Sequence, residues 1–72
     1  MTEEVFELIA MLLRSRGPVR DAARMVLVDG NPNQVAISTT GVSASSLSNT
    51  LTRYRQTDEK IKRAYKALEI HV

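Results

Sequence analysis

Apolar residues return every three or four positions along most of this chain, and a few polar or glycine-containing points interrupt them. Val5, Leu8, Ile9, Leu12 and Leu13 recur at helical spacing, Phe6 widens the arc, and Glu3, Glu7 and Arg14 fall opposite. Thr2 is placed to cap this first helix, with Glu3 and Glu4 beside the positive end of its dipole. Gly17-Pro18 is expected to end it, because glycine can turn the backbone and proline cannot continue the helix. Val19 to Val28 predicts a second helix with Val19, Ala22, Ala23, Val26 and Leu27 inward, stopped by Asp29-Gly30.

A third helix is expected over about Asn33 to Thr40, with Asn31 as its cap and Pro32 in its first turn. The run from Gln34 to Thr40 is rich in β-branched residues and could also form a strand, with Gly41 in a hairpin. No partner strand is visible elsewhere, and a lone strand leaves its backbone groups unpaired, so the helix is preferred. Ser43 is placed to cap a fourth helix. At about 100° per residue, Leu51, Tyr54, Ala44 and Thr50 fall within a third of a turn of Leu47, while Ser45, Asn49, Thr52, Arg53 and Gln56 lie on the far side. Thr57 is expected to cap a fifth helix with Asp58 and Glu59 in its first turn. Its narrow stripe of Ile61, Ala64, Tyr65 and Leu68 leaves Lys62, Arg63 and Lys66 outside. The pattern thus predicts one all-α domain over 1–72: five short helices with a helix-turn-helix at about 33–55. Within it, 33–40 is the first helix and 44–55 the recognition helix, with 58–70 as the C-terminal helix.

Length narrows this picture. A chain of 72 residues buries only about 60% of the surface its unfolded form exposes. Cysteine is absent, so neither disulfides nor thiolate metal sites add stability, and association with a second copy is an expected source of further burial. No apolar run approaches the roughly 20 residues needed to span a bilayer, and Met-Thr-Glu-Glu is unlike a basic signal-peptide start, so a cytoplasmic protein is expected. The net charge of +2 is unevenly spread. Residues 1–30 set Arg14, Arg16, Arg20 and Arg24 against Glu3, Glu4, Glu7, Asp21 and Asp29, a net of −1. Residues 31–72 set Arg53, Arg55, Lys60, Lys62, Arg63 and Lys66 against Asp58, Glu59 and Glu69, a net of +3. A basic second half suits a polyanionic partner; a solvated helix face would look the same.

Candidate chemistry is sparse. The single histidine, His71, reads as a residue of a frayed end, and the carboxylates sit where capping charges usually sit, so no enzyme is expected. Asp29-Gly30-Asn31-Pro32-Asn33 starts like a calcium-binding loop but has Gln34 at the sixth place and Thr40 at the twelfth, which excludes that reading. No phosphate-binding loop or zinc spacing occurs, and no cofactor is expected. What remains is the polar side of the fourth helix. Asn49 can pair with an adenine edge, and Arg53 can reach guanine or a phosphate. Ser45 and Ser46 can bond to base edges or backbone, and Ser43 can help hold a phosphate near the helix start. Gln34, Arg55, Lys60 and Lys62 are further candidate phosphate contacts. Each has a plainer reading as a cap or an exposed surface group, and the case for groove reading rests on their shared placement opposite the apolar seam.

Ala23-Arg24, then Val26-Leu27-Val28-Asp29-Gly30 and Pro32, followed at matching spacing by Gly41, Ser48 and Arg53, resembles the plasmid-borne repressors of the KorA/TrfB family. The Leu-Val-x-Gly element ahead of a helix-turn-helix is also similar to PapB-type regulators of fimbrial operons. The likeness covers roughly residues 22–55. It implies an all-helical domain that binds a palindromic operator as a homodimer and represses plasmid genes, with contact roles on Ser43, Ala44, Asn49 and Arg53. Two departures stand out. The family's repressor has an arginine where this chain has Ala44, which removes a guanine contact. Its separate dimerisation domain has no counterpart after Arg55, so a dimer is expected to use the stripe of Ile61, Tyr65 and Leu68 or the apolar arc of helix 1. The expected function is sequence-specific regulation of transcription, with double-stranded DNA and a second copy as partners. The alternative is a helical adaptor or anti-activator that binds protein.

Overall fold

The computed structural model describes the backbone of residues 1–70 and the side chains of residues 1–68; His71 lies outside the described residues. The chain forms α1 (Glu3–Leu12), α2 (Pro18–Leu27), α3 (Asn33–Thr40) and α4 (Ala44–Ile70), with no strand among the described residues. α2 is central and touches each of the other helices, whereas α1 and α3 do not meet.

Local chemistry explains most of the boundaries. The Thr2 hydroxyl accepts from the Val5 N–H at 3.3 Å, capping α1 beside Glu3 and Glu4. α1 nevertheless ends at Leu12, well short of Gly17-Pro18. Arg14 takes the left-handed conformation (φ 54°), and the Ser15 N–H bonds back to the Ala10 carbonyl at 2.9 Å and the Arg14 N–H to Met11 at 3.1 Å. That is a Schellman ending with arginine where glycine is usual. Gly17 and Pro18 open α2 instead, with proline in its first turn, where a missing N–H leaves no bond unmade.

The start of α3 also differs from expectation. Gly30, at φ 76°, turns the chain so that the Asn31 N–H reaches the Met25 carbonyl at 2.9 Å. Asn31 is therefore still closing α2 and cannot cap α3. Pro32 takes the cap position, and its carbonyl receives the Val35 and Ala36 N–H groups. The β-branched stretch that follows is helical. Thr40 stays in it because its hydroxyl donates to the Ala36 carbonyl one turn back, at 2.7 Å. Gly41, at φ 78°, ends α3, and Gly41 to Ser43 lead directly into α4.

Four helices replace the expected five because Thr57 caps nothing. Its hydroxyl donates to the Arg53 carbonyl at 2.9 Å, and α4 runs through without a break. No glycine or proline stands between Ser43 and Leu68 to stop it. Asp58–Lys62 (3.0 Å) and Glu59–Arg63 (3.7 Å) pair along the helix, so the two acids support its middle and do not mark a start. The 27 residues of α4 span about 40 Å, and the molecule measures 46 × 20 × 17 Å.

The core consists of Phe6, Ile9 and Ala10 from α1, Ala22 and Ala23 from α2, Ala36 from α3, and Leu47, Leu51 and Tyr54 from α4. The fully buried residues of α2 and α3 are alanines, and the large buried side chains come from α1 and α4. Phe6 and Tyr54 stack at 5.0 Å between ring centroids with planes 20° apart, and the Arg20 guanidinium lies over Phe6 at 5.6 Å. The inward face of α1 is therefore Phe6, Ile9, Ala10 and Leu13. Leu8 and Leu12, expected inside, are 43% and 56% exposed, beside Met11 at 68%. The apolar arc of α1 is too broad for periodicity alone to locate its centre, and the stack on Tyr54 locates it. Replacing Leu47 with Ala should remove about 2–5 kcal/mol of stability, read from the midpoint of urea unfolding. A loss under about 1 kcal/mol would be inconsistent with a side chain packed on every side.

Candidate nucleic-acid interface

The first three turns of α4 have two unlike sides. Leu47, Leu51 and Tyr54 are buried, while Ser45, Ser46, Asn49, Thr52, Arg53 and Gln56 are exposed. Burial of the first set follows from contact with α1, α2 and α3, and the second set is left outward by the same rotation. Ala44, expected within reach of the seam, is exposed, because it opens the helix at the edge of the core; it offers solvent only a methyl group. Thr50 is half-buried.

Not every hydroxyl on this side is free to serve a partner. The Ser43 side chain accepts from the Ser46 N–H at 3.1 Å, so Ser43 is the helix cap, with its hydroxyl proton still available to donate. The Thr52 hydroxyl donates to the Ser48 carbonyl at 3.0 Å, which turns it onto its own helix. Ser45, Ser46, Asn49 and Arg53 have no side-chain hydrogen bond or ion pair among the described residues.

The outlying candidates disperse. Gln34 is exposed on the first turn of α3, about 9 Å along the axis from Thr40. Arg55 is exposed, but two helical positions from Arg53 place it on the opposite flank. Lys60 is exposed farther along, and Lys62 is paired with Asp58. Ile61 is half-buried against the core, while Tyr65 and Leu68 are 66% and 65% exposed on the projecting end of α4.

The electrostatics sharpen once pairing is known. From Gly30 through Thr57 there is no carboxylate side chain. In the first half, Arg20 pairs with Glu7 at 3.5 Å, and Arg24 with Glu3 and with Asp29 at 3.6 Å. The hydrogen bond to Glu3 is the main influence raising the Arg24 guanidinium above its ordinary value. Arg14 and Arg16 have no acidic partner among the described residues. They border a cleft of about 240 Å³ that Arg53 and Tyr54 also line, so the turn between α1 and α2 reaches the flank of the exposed face of α4. Sequence reasoning missed both arginines, because charges summed by halves hide which cations are already neutralised. Their place beside Gly17-Pro18, outside any helix, was the available signal.

No family model, no curated protein and no solved structure matches this chain. The reading of the face therefore rests on its own geometry and chemistry. Replacing Ser43 with Ala should cost about 1 kcal/mol through loss of the cap, measured by chemical denaturation without any ligand present. An unchanged unfolding curve would mean that the Ser46 N–H finds an equivalent acceptor in solvent.

Proposed function

We propose that this chain is a DNA-binding transcriptional regulator of the helix-turn-helix type, acting as a repressor and a homodimer. The observation that carries this reading is the two-sidedness of α4 directly after the short turn at Gly41–Ser43, with Leu47, Leu51 and Tyr54 held inside and Ser45, Ser46, Asn49 and Arg53 outside. A recognition helix needs one side fixed to a scaffold and the other free to enter the major groove. The absence of carboxylate side chains from Gly30 to Thr57 lets that side approach phosphates without repulsion.

In this reading Asn49 pairs with an adenine edge and Arg53 reaches guanine or a flanking phosphate. Ser45 and Ser46 adjust to base edges or backbone, and the start of α4, capped by Ser43, presents its free N–H groups to a phosphate. Ala44 makes at most an apolar contact. The resemblance to KorA/TrfB repressors supports the same assignment and adds repression as the outcome.

The projecting end of α4 supplies the dimer contact. Leu47, Leu51, Tyr54, Asp58, Ile61, Tyr65 and Leu68 follow one another at alternating steps of four and three, so the inward seam continues as a stripe beyond the core. Leu47, Leu51 and Tyr54 are buried in the core, and Tyr65 and Leu68 are exposed. A second copy covering them would set two recognition helices about 34 Å apart on a palindromic or repeated site. The exposed Leu8, Met11 and Leu12 of α1 favour a second reading, an adaptor that binds a protein through that face.

Duplexes selected from a random pool with the wild-type protein test the assignment. Replacing Arg53 with Ala should abolish the preference for the selected sequence while the helical content is kept; a full footprint in that variant would overturn the reading. An adaptor would bind no duplex, at low salt or high. Replacing both Tyr65 and Leu68 with Glu should shift the sedimentation of the protein from dimer to monomer. A dimer that survives the change would place the interface elsewhere, with the outer face of α1 next in line.

A further inference from the structure

Two clefts flank the turn between α1 and α2, and Arg14, Ser15 and Arg16 border both. The larger, about 530 Å³, also contains the Glu7 carboxylate and the apolar side chains of Leu8 and Met11. The smaller, about 240 Å³, has no carboxylate on its wall. There three guanidinium-bearing residues, Arg14, Arg16 and Arg53, come together from two separate parts of the chain. Leu13 and Val19 supply apolar wall, and Tyr54 completes it. None of the three arginines has an acidic partner among the described residues.

Like charges converge at a cost unless an anion joins them. A guanidinium presents a planar fork of donors matched to phosphate oxygens, and three such groups around one small cleft make a stronger match than any one of them on a surface. Two further features bear on this cleft. The Tyr54 hydroxyl is buried without a hydrogen-bond partner among the described residues, on a residue that lines the cleft. Arg14 is held at φ 54°, where a glycine would be relaxed, and the turn carries an arginine there at a cost in backbone strain.

We propose that this cleft is a phosphate-binding site formed by Arg14, Arg16 and Arg53. The phosphate comes either from the backbone of the duplex beside α4 or from a free phosphorylated compound. In the first case the site deepens the DNA-binding reading and rests on it: the turn between α1 and α2 would clamp the strand flanking the groove that α4 enters. Arg53 would then belong to both the groove face and the clamp. In the second case the site would place a soluble phosphate ligand against the helix that reads DNA.

The test compares the wild-type chain with an Arg14→Gln/Arg16→Gln variant, which keeps Arg53 and alters only side chains without acidic partners. Circular dichroism verifies that the variant is folded, and Arg14→Lys/Arg16→Lys restores charge as a control. Random-sequence duplex is titrated over a salt series, and thermal unfolding is followed with inorganic phosphate against chloride at equal ionic strength. For a backbone phosphate, the slope of log affinity against log salt should fall in magnitude by about 0.9 for each phosphate no longer neutralised. The fall should be equal for selected and random duplexes, and the lysine variant should keep the wild-type slope. For a free ligand, inorganic phosphate should raise the wild-type melting temperature and leave the glutamine variant unmoved. Wild-type duplex binding with an unchanged slope in the glutamine variant, and no phosphate-dependent shift, would overturn the site and leave the DNA reading standing. A phosphate-dependent shift without duplex binding would uphold the site and remove the DNA reading. Neither response in the wild type would overturn both.

Discussion

The stacked pair of Phe6 and Tyr54 is the interaction on which the arrangement depends. It joins the first helix to the last, and both rings are fully buried. Such a pair contributes about 0.5–1.5 kcal/mol beyond the burial of its area, a large share in a domain of this size. Its geometric role matters more. Tyr54 lies between Arg53 and Arg55, so fixing its ring fixes the rotation of α4 about its own axis. Once that rotation is set, the exposure of Asn49 and Arg53 follows from helical geometry.

The same pair explains where the sequence could and could not be read. The polar side of α4, the glycine at the α3–α4 turn and the serine cap were legible, because each depends on neighbours a few positions away. The third helix was legible only by exclusion: its β-branched residues argue for a strand, and the absence of a pairing strand argues against one. The inward face of α1 was not legible. With Val5, Phe6, Leu8, Ile9, Leu12 and Leu13 all apolar, periodicity allows several rotations, and the choice is made by a ring far along the chain. The break expected at Thr57 failed for a different reason. Threonine followed by two acids is a start signal only where a helix has been interrupted, and nothing before Thr57 interrupts this one.

Charge behaves in a related way. By halves, the first thirty residues are slightly acidic and look indifferent to a polyanion. In the folded chain Glu3, Glu7 and Asp29 are engaged by Arg20 and Arg24, and the arginines of the α1–α2 turn are left over. The folded surface thus carries a basic cluster that draws on both halves. Pairing, which only the fold determines, decides where positive charge is available.

Because α4 has no joint, it transmits phase: whatever angle the core imposes at Tyr54 is carried to Tyr65 and Leu68. Inserting or deleting a single residue near Thr57 would leave the packing of Leu47, Leu51 and Tyr54 in place yet swing the outer end by about 100° around the axis. The chain behaves there like a keyed shaft, in which the number of residues between the two ends, more than their identity, sets how one end is aimed relative to the other.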